Sequence, residues 1–276
     1  MVNTIPVLSR RRARFTLRAA FILLMAFALQ SQAAKPLHAL LITGGCCHDY
    51  ENQKQILTNG ISARANVRWT VLHEGGDSKD HHVSIYEKPD WAKGFDVIVH
   101  NECFGMVTNK LFVERAAKAH HEGVPAVVIH CSIHSYRDAD TDEWRKLLGV
   151  SSFRHQQRVA VEVKNLRPGH PVMKQFPATW KTPNGELYEI EKLWPDCIPL
   201  AQAYGVRSQK DHACIWVNTY GKARVFGTSL GHFNEEMDNE VYLDLISRGL
   251  LWSCGKLKDN GEPARGYAAQ KKTARK

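Results

Sequence analysis

The sequence predicts an α/β fold, a three-layer sandwich in which helices cover both faces of a mainly parallel β-sheet. In the first half of the 276 residues, short runs rich in Val, Ile and Leu alternate with segments of helical periodicity. This alternation is typical of βαβ units, whose parallel sheet is buried on both faces. The predicted strands cover residues 37–43, 67–72, 95–101 and 125–131, and the predicted helices cover residues 50–64 and 108–122.

After residue 150 the pattern changes, because strand-like runs follow one another without long helices between them. This favours antiparallel or edge strands, followed by a final helix over residues 236–253 with a buried apolar stripe. We find no internal repeat and no second domain boundary. The strand-like runs cover residues 158–163, 198–204, 213–218 and 224–229.

Residues 1–33 have the pattern of a secretory signal peptide. An arginine-rich segment precedes an apolar stretch, Ala19–Leu29, which is too short to span a bilayer. Small residues ending at Ala33 suit a signal peptidase, so we expect cleavage after it. The prediction is Sec-type export to the periplasm or the exterior, with no stable membrane anchor after cleavage. An uncleaved anchor is the alternative.

The formal charge of +9 belongs to the two ends of the chain. Residues 1–33 carry five arginines and no acidic residue, and residues 255–276 carry seven Lys or Arg against two acidic residues. The α/β domain between them, residues 34–254, is close to neutral, which argues against a nucleic-acid partner. The polar and basic composition of residues 255–276 predicts a disordered tail.

The chain has seven cysteines, an odd number. Cys46 and Cys47 are adjacent, and we expect them not to be bonded to each other. Cys214 and Cys254 lie in apolar runs and are expected to be buried as small hydrophobic side chains. No cysteine spacing matches a zinc finger or a redox C-x-x-C pair.

The first candidate site segment is the glycine turn Gly44–Asp49 after the first strand, at the sheet edge where open α/β folds bind ligands. The turn lacks the G-x-G-x-x-G spacing and a Lys-Ser/Thr pair, so nucleotide binding is a weak interpretation. His48, at the apex of the turn, is better placed to meet a substrate or a metal ion.

The second segment follows the fourth strand. If that strand continues to Ser132, His130 and Ser132 share one face. His134 then lies on the next turn, followed by Tyr136 and by Arg137, which could clamp a polar or anionic substrate group.

Together His48, His130 and His134 are candidate ligands of one divalent metal ion, Zn²⁺ or Mn²⁺, with a carboxylate completing the site. Three neutral imidazoles linked to waters and carboxylates would give the same sequence pattern. A metal-free acid–base site therefore stays open.

Cys131 is a candidate covalent nucleophile of the kind found in the strained elbow of glutamine amidotransferases. That elbow has small residues on either side of the nucleophile, whereas Ile129 and Ile133 stand two residues before and after Cys131. Because β-branched residues fit strained turns poorly, this role is a minor alternative.

Further polar residues interrupt apolar surroundings. Asn101 and Glu102 end the third strand on alternate faces, so at least one should face the cleft. Glu186 and His232 are candidates to reach the same cleft from the second half of the chain.

These segments resemble the ThuA-like (trehalose utilisation) family of the class I glutamine amidotransferase-like superfamily, over residues 37–254. Several blocks that occur in the right order make the resemblance specific. The blocks are Leu41–Gly45 with His48 and Asp49, Val128–Arg137, His170–Val172, Glu186–Tyr188, Asn218–Phe226 and Ser229–His232.

The resemblance implies a flavodoxin-like, class I glutamine amidotransferase-like sandwich and a role in the metabolism of disaccharides, including 3-keto sugars made by partner dehydrogenases. A 3-keto group acidifies the adjacent C–H, so the glycosidic bond can break by elimination and hydration. This chemistry needs a base near neutrality and a group that stabilises the enolate. A histidine could be the base, and a metal ion or Arg137 the stabilising group.

The chain departs from the family pattern at two places. Gly185 replaces the first member of an acidic pair and leaves only Glu186, and Cys46-Cys47 stand where histidine or aromatic residues are common. The amidotransferase nucleophile motif is also absent, so we do not expect glutamine hydrolysis.

We therefore expect an exported enzyme that acts on (3-keto-)disaccharides or glycosides by histidine- or metal-assisted acid–base chemistry. A non-catalytic sugar-binding or accessory protein is the alternative, and an amidohydrolase using Cys131 is a third hypothesis. A small sugar is the expected partner, and a homo-oligomer stays open. The expected catalytic residues are His48, His130, His134, Glu186 and His232, and the expected substrate-binding residues are Asp49, Asn101, Glu102, Tyr136 and Arg137.

Overall fold

A computed structural model describes residues 1–2 and 34–270. The predicted signal peptide lies almost wholly outside these residues. Among the described residues, no helix is long and apolar enough to cross a membrane. The described residues from Lys35 to Gln270 belong to one compact unit.

Nine of the strands in the described part of the chain form one sheet. The strands are β1 (Leu37–Gly45), β2 (Val67–His73), β3 (Val97–Cys103), β4 (Ala126–Ile129), β5 (Val150–Arg158), β6 (Glu162–Asn165), β7 (Thr179–Lys181), β8 (Glu186–Leu193), β9 (Ile198–Gly205), β10 (Lys210–Tyr220) and β11 (Ala223–Thr228). The order in the main sheet is β2-β1-β3-β4-β11-β10-β9-β6-β7, and β5 pairs with β8 in a separate ribbon. The first five strands of that order are parallel, and the rest add antiparallel pairs.

Strand β1 shows why the parallel strands are continuous apolar runs. Its side chains alternate between two core layers, with Leu41 on one face of the sheet and Leu40 and Ile42 on the other. Because helices cover both faces, polar residues are excluded from the strand until it ends at the glycine turn.

Helices cover both faces of the sheet, which confirms the predicted three-layer architecture. The helices are α1 (Tyr50–Ser62), α2 (Lys110–His121), α3 (Glu143–Leu148), α4 (Asn234–Met237) and α5 (Glu240–Ser253). Leu57 of α1 shares one core layer with α5, and Phe112 of α2 shares the other with Trp144 of α3.

Strand β4 ends at Ile129, earlier than predicted, and a 3₁₀ turn covers His130–His134. The hydroxyl of Ser132 accepts from the Ile129 N–H at 3.1 Å and donates to the Ile129 carbonyl at 2.9 Å, which closes the turn. The backbone of His130 has φ +42°. The predicted continuation of the strand, with His130 and Ser132 on one face, is therefore wrong.

The sequence pattern did not predict the β5–β8 ribbon. Strand β8 is buried at its first three residues, Glu186–Tyr188, and becomes exposed towards Leu193. Charged residues dominate its exposed half, so it lacks the apolar run by which the other strands were recognised.

The predicted disorder of the C-terminal tail is wrong for residues 255–270. Ala268 forms a bridge with Ala65, and the carbonyl of Tyr267 accepts the N–H of Asn66 at 2.9 Å. Tyr267 also packs against the core layer of α1 and α5. Composition failed here because backbone pairing with a neighbouring segment needs no apolar run. Residues 271–276 lie outside the described part.

Candidate functional site

The candidate site is a pocket of about 250 Å³ beyond the carboxyl ends of β1, β3 and β4. A larger open depression of about 870 Å³ lies beside α2, but its lining residues Arg115 and Glu87 pair with each other at 2.8 Å. Only the smaller of these two pockets gathers buried histidines and a carboxylate, which are typical of a functional site.

Three histidines from distant parts of the chain meet in this pocket. His48 follows the glycine turn, His130 begins the 3₁₀ turn after β4, and His232 lies between β11 and α4. One ring nitrogen of each lies within 4.8 Å of those of the other two. Such a trio could hold a metal ion or share protons.

The glycine turn fixes His48 because its backbone is closely packed. Gly44 and Gly45 have φ of +130° and +97°, and a Cβ on either would collide with the carbonyl oxygen of Glu74 or Cys103 respectively. Only glycine fits these positions, so the turn holds the backbone that carries His48 in one place.

The hydrogen bonds assign the tautomer of neutral His130. Its Nδ1 lies 2.7 Å from the carbonyl oxygen of Ser229, which can only accept, so Nδ1 carries the proton. Nε2 is then unprotonated, and it lies 3.2 Å from His232 Nδ1. A backbone carbonyl that orients one ring nitrogen is the usual arrangement of a metal-ligating histidine.

Glu186 provides the negative charge of the pocket. Its Oε2 lies 3.5 Å from His130 Nε2 and 3.4 Å from His232 Nδ1. Its Oε1 accepts from Arg158 Nε at 3.0 Å and lies 3.2 Å from His155 Nδ1. Burial raises the pKa of Glu186, but the proximity of His130 and His232 and the hydrogen bond from Arg158 outweigh it and hold the pKa well below its usual range.

His48 and His130 are neutral at neutral pH, because burial lowers the pKa of each ring. Burial, followed by the proximity of His130 and His232, lowers the pKa of His48 to about 2. Burial also lowers the pKa of His130, against the opposing effect of Glu186. Neutral imidazoles are the form that binds a metal ion or accepts a proton.

His134 lines the pocket but stands apart from the three grouped histidines. Its Nε2 lies 3.0 Å from the hydroxyl of Ser152, and its ring stacks on Tyr188 with centroids 3.9 Å apart. Burial lowers its pKa to about 3. The predicted ligand set of His48, His130 and His134 is therefore not the set that the fold brings together, because His232 takes the place of His134.

Of the predicted substrate-binding residues, Arg137 lines the pocket, whereas Asp49 lines a second, open depression that shares His48 and His232 with it. The Asp49 carboxylate is already occupied. It caps α1 by accepting the Asn52 N–H at 3.2 Å, and it also accepts from Asn234 Nδ2 at 2.7 Å.

Asn101, Glu102 and Tyr136 are buried outside the pocket lining, so direct substrate contact does not fit them. The Asn101 amide lies 3.3 Å from Gln53 Oε1, and Glu102 accepts from the hydroxyl of Tyr86 at 3.0 Å. The alternation of side chains between the two faces of a strand does not tell which positions face the pocket and which face a core layer.

Several pocket residues had no predicted role. His155 and Arg158 come from β5, and Tyr188 from β8. Glu236 lies behind His232 and accepts its N–H at 2.9 Å, and burial raises the pKa of Glu236 to about 8. The segment Glu186–Tyr188 was a signal for Tyr188, whereas nothing in the sequence distinguished Glu236 from its neighbour Glu235.

Four cysteines line the same pocket in two disulfides, Cys46–Cys47 and Cys103–Cys131. The expectation that Cys46 and Cys47 are not bonded to each other is therefore wrong. With its sulfur in a disulfide, Cys131 has no thiol to act as a nucleophile.

Fold and site together define a three-layer α/β sandwich with a histidine–carboxylate pocket at the strand ends. The profile of the trehalose utilisation family, ThuA, matches residues 39–253, and the chain belongs to this family.

Comparison with solved structures shows the same fold in other proteins. A putative ThuA-like protein from Parabacteroides merdae ATCC 43184 has a TM-score of 0.64 at 18% identity, over 86% of this chain and 98% of that one. A second, from Bacteroides uniformis ATCC 8492, has a TM-score of 0.62 at 17% identity, over 85% and 98%. Comparison with curated proteins gave no match.

Proposed function

We propose that this protein is a carbohydrate-active enzyme that acts on (3-keto-)disaccharides or glycosides by histidine- or metal-assisted acid–base chemistry. The observation that carries the proposal is the group His48, His130, His232 and Glu186, in which the neutral imidazoles of His48 and His130 lie beside a charged carboxylate. Membership of the trehalose utilisation family supports a carbohydrate as substrate.

The proposed base is Nε2 of His130. This nitrogen is unprotonated in the neutral ring, because Nδ1 is held by the Ser229 carbonyl. Glu186 lies 3.5 Å from it and stabilises the imidazolium that forms when the C–H proton is taken up. Arg137 is a half-exposed cation at the pocket wall and is proposed to orient the sugar.

The residues also fit one divalent metal ion, Zn²⁺ or Mn²⁺. His48, His130 and His232 would hold it, with Glu186 as the carboxylate ligand, a donor set that these cations accept. Such an ion would polarise a sugar carbonyl and stabilise an enolate. The Ser229 carbonyl already orients His130 as a ligand, and the lowered pKa of His48 keeps it in the binding form.

We further propose that residues 1–33 direct export to the periplasm or the exterior, and that the mature chain begins at Ala34. The partner is a small sugar, with no role for nucleic acid.

The first test is the metal content of the protein, purified without a histidine tag and measured by elemental mass spectrometry. About one Zn or Mn per chain, lost in the His48→Ala/His130→Ala double variant, would support the metal-assisted form. A matched control is His81→Ala/His82→Ala, which removes two histidines outside this pocket. No metal after reconstitution would leave the acid–base form.

The second test is turnover of 3-keto-disaccharides by the wild type and by His130→Ala. Loss of turnover in the variant supports the proposal. Saturable sugar binding without any product, with and without added metal, would contradict catalysis and favour the sugar-binding alternative. A substrate turned over equally by both proteins would remove His130 as the base.

A further inference from the structure

The two disulfides of the pocket lie against each other. They bring together three separate segments, since Cys46 and Cys47 belong to the turn after β1, Cys103 ends β3, and Cys131 follows β4. Sγ of Cys46 is 4.0 Å from Sγ of Cys103. A sulfur released from the first disulfide would therefore lie close to a sulfur of the second.

We propose that Cys46–Cys47 and Cys103–Cys131 form a thiol–disulfide exchange site, whose ligand is a dithiol that enters at Cys47. This activity is separate from the proposed sugar chemistry and depends on none of its steps.

Access determines where the exchange begins. Cys47 is exposed and Cys46 is partly buried, whereas Cys103 and Cys131 are only 4% and 6% exposed. Because exchange requires a thiolate to reach a disulfide sulfur, an external thiolate meets the Cys46–Cys47 bond first. The second disulfide is then open to attack only from within the protein.

The exchange proceeds in three balanced steps. A thiolate of the dithiol attacks Sγ of Cys47, forms a mixed disulfide there and releases Cys46 as a thiolate. Cys46 attacks Sγ of Cys103, forms the Cys46–Cys103 disulfide and releases Cys131. The second thiol of the dithiol then attacks the mixed disulfide, leaves as a cyclic disulfide and releases Cys47.

The overall change transfers two electrons and two protons. The dithiol is oxidised to its disulfide, and the protons it loses are taken up by the thiolates of Cys47 and Cys131. One of the two protein disulfides is reduced, and the one that remains joins β3 to the turn after β1. Cys46, in the exposed disulfide, is bonded again at the end, and the buried Cys131 carries the free thiol in its place.

The sharpest test is Cys47→Ser in the full chain. This variant leaves Cys46 as a free thiol beside the intact second disulfide and needs no added reductant. Quenching of the folded protein in acid, followed by maleimide alkylation under denaturing conditions and peptide mass spectrometry, should show a Cys46–Cys103 crosslink, an alkylated Cys131 and loss of the Cys103–Cys131 peptide.

The matched control is Cys46→Ser/Cys47→Ser, which lacks the attacking thiol and should keep Cys103–Cys131 intact. Circular dichroism shows whether both variants fold. If folded Cys47→Ser keeps Cys103–Cys131 and shows no Cys46–Cys103 crosslink, the proposal is overturned.

A second measurement does not depend on a variant. The wild-type protein treated with less than one equivalent of dithiothreitol and quenched in acid should yield the Cys46–Cys103 crosslink. Reduction that stops at free Cys46 and Cys47, with Cys103–Cys131 still bonded, would overturn the proposal as well.

Discussion

At the scale of single residues, the charge of Glu186 organises the pocket. Its two oxygens divide their partners, because Oε2 faces His130 and His232 while Oε1 faces Arg158 and His155. A buried carboxylate is stable only with such partners, and removing its charge would leave Arg158 without one.

We expect Glu186→Gln to lower turnover of a keto-disaccharide by about 10²- to 10⁴-fold, since the imidazolium of His130 loses its counter-charge. The measurement is kcat on the substrate that the wild type accepts. Glu189→Gln is a matched control, because Glu189 lies on the same strand and pairs with Arg207 outside the pocket. Equal losses in both variants would contradict the role of Glu186.

Histidine burial also has a residue-scale consequence for stability. His120 of α2 is fully buried, with Nδ1 2.7 Å from the carbonyl of Val124 and Nε2 3.1 Å from Nε2 of His100. Burial, followed by the proximity of His100, lowers the pKa of His120 from 6.5 to about 3. Between these values the unfolded chain binds a proton that the folded chain does not.

The stability that depends on neutral His120 is therefore complete above pH 6.5 and is lost as the pH falls through about 3. His120→Gln should reduce the slope of the unfolding free energy against pH by up to about 1.4 kcal/mol per pH unit in this window. Urea titrations over a pH series measure it. His121→Gln, at an exposed neighbour, should keep the wild-type slope, and an unchanged slope in His120→Gln would refute the assignment.

At the scale of the elements, tight turns at the ends of the parallel strands position the histidines. Gly45 brings the backbone after β1 against the end of β3, and His130 adopts φ +42° directly after β4. A left-handed backbone at a non-glycine residue is costly, and its presence beside the pocket fits a functional constraint.

Gly45→Ala should destabilise the fold by more than about 2 kcal/mol, because backbone strain adds to a collision with the Cys103 carbonyl. Urea denaturation gives the free energy of unfolding. Gly76→Ala is the control, since Gly76 also has positive φ, +49°, but its added Cβ meets nothing within 4 Å. Equal losses in the two variants would show that the collision does not matter.

At the scale of the whole molecule, the tail closes the edge formed by α1 and β2. It pairs with Ala65 and Asn66, which lie between these two elements, and covers apolar surface with Tyr267. The basic end of the chain is thus a part of the fold up to residue 270.

A chain that ends at Cys254 should have a Tm lower by roughly 3–10 °C, because it loses this pairing and the burial of Tyr267. Thermal unfolding followed by circular dichroism is the measurement. The control chain ends at Gln270 and keeps every contact described for the tail. An unchanged Tm after removal of residues 255–276 would support the prediction that this tail is disordered.

The sequence by itself determined the architecture and the edge of the sheet that carries the site. Apolar runs such as β1 and amphipathic stripes such as Leu57 with Ile61 are local patterns, so they can be recognised without knowledge of their partners. The same reasoning placed His48, His130, Glu186 and His232 at strand ends or polar breaks, and the structure brings these four together.

Only the tertiary structure decided which of the candidates meet. His232 replaces His134 among the three histidines, Glu102 and Tyr136 turn into the core, and Cys46 pairs with its neighbour Cys47. These outcomes depend on where β4 ends and on how the β5–β8 ribbon lines the pocket. The sequence pattern did not predict that ribbon. Local sequence patterns cannot specify them. Each outcome depends either on a contact between segments far apart in the chain or on the direction in which the backbone of a turn points its side chains.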